Sequence, residues 1–69
     1  MGRNREIEEE LIKELATRVH DYDFINYALN HMDSTSKKKE LLMWLKNNQN
    51  ATKKEIEWQM FYITTGIKL

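Results

Sequence analysis

Two groups of side chains in this chain have the types and spacing to act on a partner. Lys37, Lys38 and Lys39 stand together, and Lys53 and Lys54 follow further on. Both clusters fall in predicted first turns of helices, where the macrodipole disfavours cations by roughly a few tenths of a kcal/mol each. Local helix stability does not put lysines there. They suit an anion, phosphate included, or they answer the carboxylates of Glu8, Glu9, Glu10, Asp21 or Asp33. The second group is Trp58, Phe61 and Tyr62, at i, i+3 and i+4. These are residue types enriched at interface hot spots, at the spacing of helix-in-groove recognition.

Nothing comparable points to catalysis. The chain has no Cys, no nucleophile elbow and no Gly-rich phosphate loop, and Ser34, Thr35, Ser36 and Thr52 stand where helix caps are expected. We therefore expect no catalytic residue, no cofactor and no small-molecule substrate. His20 and His31 are eleven positions apart and lack the i, i+4 spacing of helical metal sites. No metal site is expected, since His31 with Asp33 offers only an adventitious pair.

Sixty-nine residues make one domain, 1–69, with residues 1–3 frayed. A chain of this size removes only about 60% of its unfolded surface from water, and small domains commonly add disulfides, a metal or oligomerisation. Without Cys, oligomerisation is the addition that remains. No apolar run approaches the ~20 residues of a membrane span, and the N-terminus is charged where a signal peptide turns apolar. A cytoplasmic protein with no membrane contact is the expectation. Asn50-Ala51-Thr52 matches a glycosylation sequon but reads as a helix start.

Net charge is zero, yet the halves differ. Residues 1–33 carry four basic and eight acidic side chains, and residues 34–69 seven and three. Such a division suits halves that pack on each other or on each other's copies; a basic half can also contact nucleic acid.

With no Pro and only Gly2 and Gly66, and no alternating β-branched run, the pattern predicts an all-α bundle of four short helices, over about 4–19, 23–32, 36–48 and 52–65. In the first, Ile7, Leu11 and Leu15 recur every four residues, Ile12, Ala16 and Val19 widen the stripe, and Glu6, Glu8, Glu9 and Glu10 complement the dipole. Asp21 or Asp23 caps the second, whose core side carries Phe24, Ile25, Ala28, Leu29 and Met32. Leu41, Leu42, Trp44 and Leu45 face inward on the third, and Met43 points away. The fourth opens with the capping box Thr52-Lys53-Lys54-Glu55 and closes with Gly66 and an apolar contact from Ile67. Both ends are marked, as in a chain that finishes there.

This last helix is apolar on two sides, with Ile56, Met60 and Ile63 opposite Trp58, Phe61 and Tyr62. A helix apolar nearly all round needs cover nearly all round. It is expected to be the central helix, packed by the first and third, and its aromatic side is either sandwiched under the second or third helix or meets another protein. The leading expectation is a non-enzymatic interaction or regulatory module, a homodimer through Trp58, Phe61 and Tyr62 or a partner of another protein. The alternative is a helix-turn-helix-like DNA-binding regulator using Lys37, Lys38, Lys39, Lys53 and Lys54. That motif wants a Gly near Met32 and an apolar residue near Lys38, and neither is present.

Overall fold

The computed structural model describes residues 2–66, which form four α-helices and no strand: α1 (Gly2–Arg18), α2 (Tyr22–His31), α3 (Thr35–Asn47) and α4 (Lys53–Thr65). The predicted all-α bundle is the observed one, with no helix end displaced by more than two residues. Ile67 lies outside the described residues.

Local chemistry sets the helix starts. The Asp21 carboxylate accepts from the backbone N–H groups of Asp23 and Phe24 at 3.0 and 3.3 Å, and the Ser34 hydroxyl accepts from that of Lys37. The capping box forms in full, Glu55 N–H donating to the Thr52 hydroxyl at 3.2 Å and Thr52 N–H to the Glu55 carboxylate at 2.8 Å. Gly66 ends α4 at φ +76°, its N–H donating to the Tyr62 carbonyl. Glycine takes this left-handed conformation without steric cost.

Two contacts between α1 and α3 give their direction. Lys38, in the first turn of α3, pairs with Glu8 in the N-terminal half of α1 at 3.5 Å. At the other end the Arg18 guanidinium donates to the carbonyls of Leu45 at 2.7 Å and Asn48 at 3.3 Å. The two helices therefore run parallel, and α2 carries the chain back between them. Arg18 also donates to the Glu14 carbonyl and carboxylate, at 2.7 and 2.9 Å, and its side chain is only 4% exposed. The last carbonyls of a helix have no partner within it. Arg18 thus binds the ends of α1 and α3 into one cap.

The core consists of Leu11, Leu15 and Val19 from α1 and the residue after it, Phe24, Ile25, Ala28 and Met32 from α2 and its end, Leu41, Leu42 and Leu45 from α3, Ala51 from the last loop, and Ile56 and Met60 from α4. Trp44 packs against it only partly buried, and Ile12, predicted to widen the α1 stripe, is exposed. The Cα radius of gyration, 11.0 Å, equals the roughly 11 Å of a compact chain of this length. The monomer thus has a core of its own.

The packing order differs from expectation. The largest interface joins α1 and α3, and α4 packs chiefly on α3 with a smaller contact to α2. The fourth helix is peripheral, and α3 holds the central place. The glutamates of α1 also change role. Because the helix starts at Gly2, no acidic residue lies in its first turn, the only turn over which the dipole acts strongly. Glu8 and Glu10 pair across the interface instead, with Lys38 and Lys46.

Asp21 links the cap of α2 to the start of α4. The Phe24 N–H holds its carboxyl below the usual carboxylate value, with Lys53 assisting. Such a group stabilises the fold above its unfolded pKa, and that share is lost as pH falls through the lower folded value. Asp33, lowered by Lys37, acts in the same sense. Asp21→Asn keeps an N-cap oxygen but cannot titrate. Thermal unfolding followed by circular dichroism should show the variant losing less stability than the parent on acidification below about pH 4.

Candidate interaction face on the fourth helix

The capping box and the glycine stop fix where α4 begins and ends, and the burial of Ile56 and Met60 fixes its rotation. With those two buried, the opposite face carrying Trp58 and Phe61 is turned outward. Trp58 is 53% exposed and Phe61 47%, while Tyr62 is half-buried. With Trp58 and Phe61 about half in water, no neighbouring helix encloses this face, so the sandwiched arrangement is not the one adopted.

The three rings touch one another. Trp58 lies edge-on to Phe61 with centroids 6.3 Å apart and stacks on Tyr62 at 6.2 Å, and Phe61 meets Tyr62 at 6.0 Å. Rings held this way lose little side-chain freedom when a partner covers them. Beside them Lys54 and Glu57 complete an open depression with Trp58 and Phe61. Glu57 is absent from the residues expected on this face. Its position, three after Lys54 and four before Phe61, is the signal that would have found it. Other exposed apolar side chains, Ile12 on α1, Tyr22 and Tyr27 on α2 and Met43 on α3, lie on other helices. Scattered exposure of that kind is ordinary.

The lysines are dispersed. Lys37 pairs with Asp33 at 3.1 Å, Lys38 with Glu8, and Lys53 with Asp21 at 3.5 Å. Lys53 also lies 5.3 Å over the Phe24 ring. Lys39 and Lys54 are exposed, with no ion-pair partner among the described residues. Lys37 to Lys39 open α3, whereas Lys53 and Lys54 follow its far end, and thirteen helical residues span about 20 Å. The two clusters do not merge into one basic surface.

Tyr27 stacks on His31 with centroids 5.3 Å apart. Among the described residues no three His, Asp or Glu side chains come together in a way that could hold a metal ion, and no helix is long and apolar enough to cross a membrane.

Comparison with protein-family models, with curated proteins and with solved structures gives no match.

Proposed function

We propose that this protein is a small non-enzymatic interaction module of the cytoplasm that self-associates through the aromatic face of α4. One observation carries the reading: Trp58 and Phe61 stay about half exposed, in ring contact with each other and with Tyr62, on a monomer whose core is otherwise closed. A soluble chain gains nothing from leaving such a cluster in water, whereas covering it removes apolar area at roughly 25 cal/mol per Å². The pairing of Lys37, Lys38 and Lys53 with carboxylates weighs against the nucleic-acid alternative, since each such lysine must give up a partner to meet a phosphate.

Sedimentation equilibrium over a concentration series tests this. The parent chain should shift from 8.4 kDa toward twice that mass, and Trp58→Ala should weaken association about tenfold or more, the range of a central aromatic anchor. The association should change little between ~50 and ~200 mM salt, over which phosphate-dependent binding falls steeply. A mass that stays monomeric throughout overturns the reading. Duplex DNA binding that collapses with salt and with replacement of Lys37, Lys38 and Lys39 by Ala would put the nucleic-acid function in its place.

A further inference from the structure

Resting on that self-association, we infer that the second copy docks antiparallel, α4 against α4 about a two-fold axis between the levels of Trp58 and Phe61. The charge layout along the helix favours this orientation. The first turn of α4 carries Lys53 and Lys54, and its last turn carries no basic residue. Lys53 is occupied by Asp21 and the Phe24 ring. Lys54 has no ion-pair partner among the described residues and lies in the depression with Glu57, Trp58 and Phe61.

Two orientations of a symmetric pair are available, because an isologous contact sets residue i against j and j against i. A parallel pair sets Lys54 against Lys54 and Glu57 against Glu57. Both contacts repel, and the helix dipoles lie side by side in the same sense. An antiparallel pair sets Trp58 against the second copy's Phe61, and Glu57 at the level of its Tyr62, a hydroxyl donor to a carboxylate. Lys54 then sits beside the second copy's Thr65, at the negative end of a helix whose last turn, among the described residues, carries no cation. The same lysine that is misplaced in the dipole of its own helix is well placed in that of a neighbour.

Size sets the strength. A standard interface takes about 800 Å² from each partner, roughly a sixth of the 5115 Å² this chain exposes. One face of a thirteen-residue helix supplies less, so the pair is a weak, exchanging one with a closed monomer.

Because the chain has no native Cys, single cysteines read the orientation directly. Lys54→Cys and Thr65→Cys replace exposed residues. Mixed under mild oxidation at a concentration where the parent is dimeric, they should give a 54–65 disulfide faster than either variant alone gives a homodimer. In the antiparallel pair the two position-54 Cα atoms lie about eleven helical rises, ~16 Å, apart, beyond the ~7 Å a disulfide can bridge. Lys54→Glu should weaken the dimer by several-fold without lowering monomer stability. Dimeric mass with rapid 54–54 bridging overturns the antiparallel arrangement and leaves self-association standing. Dimeric mass with neither bridge also overturns it. Monomeric mass with no disulfide in any mixture removes self-association itself.

Discussion

Arg18→Ala is expected to lower stability by about 2–3 kcal/mol, a fall in melting temperature of roughly 10–20 °C for a domain of this size. The variant loses no large apolar group. What it loses is the guanidinium that meets the carbonyls of Glu14, Leu45 and Asn48 and the Glu14 carboxylate together. With the side chain almost wholly enclosed, water does not reach all of these acceptors once it is removed, and an enclosed acceptor without a donor costs more than the bond contributed. Two companions separate the causes. Arg18→Met keeps the aliphatic stem and should restore only the packing share. Arg18→Lys keeps the charge but not the planar fork that serves two helices at once, and should recover less than half of the loss. Urea unfolding of the three variants measures it. Equal stability of Arg18→Met and the parent would show that the hydrogen bonds contribute nothing net.

A second large effect is expected at Leu41, which is fully buried on α3. Leu41→Ala should cost about 3–5 kcal/mol from lost transfer energy and the cavity left behind. A domain of this length has roughly 3–10 kcal/mol in all, so the variant should be largely unfolded at physiological temperature or melt far below the parent. Trp58→Ala removes more atoms but, in dilute monomer, should cost under about 1 kcal/mol, because the ring stacks with neighbours on its own helix, lies outside the buried core and is already about half in water. Circular dichroism melts of the two at low concentration give the comparison. A Trp58→Ala variant as damaged as Leu41→Ala would make the aromatic face part of the core.

Much of the fold is legible in the sequence because the signals are local. The apolar period of four in Ile7, Leu11 and Leu15, a cap at Asp21 or Asp23, the Thr52–Glu55 box and the Gly66 stop each act within one turn of themselves, and each appears in the structure as a helix or a helix end, the cap being Asp21. Which helix meets which is not local. α1, α2 and α3 each have one apolar side whose pattern does not name the side it will face, and α4, apolar on two, reads as central when α3 is. Arg18 is the extreme case: its partners across the fold are backbone carbonyls 27 and 30 residues away, and a carbonyl has no letter in the sequence. The opposite charges of the two halves come closer to being readable, and Glu8–Lys38, Glu10–Lys46 and Asp21–Lys53 are where part of them is spent. The two-sided character of α4 is legible but not its resolution, because Ile56 and Met60 are no more apolar than Trp58 and Phe61. Only the presence of α3 on one side decides between them.

The parallel seating of α1 on α3 also bears on synthesis. A chain emerging at about 5–20 residues per second completes Arg18 roughly two to six seconds before Asn48, the more distant of its acceptors on the α3 side. During that interval Leu11 and Leu15 have no α3 to cover them. An isolated helix of this length is marginal in water. Until α3 arrives, α1 is therefore a half-formed helix with an uncovered apolar stripe, and Glu8 and Glu10, which later pair with Lys38 and Lys46, are still solvated.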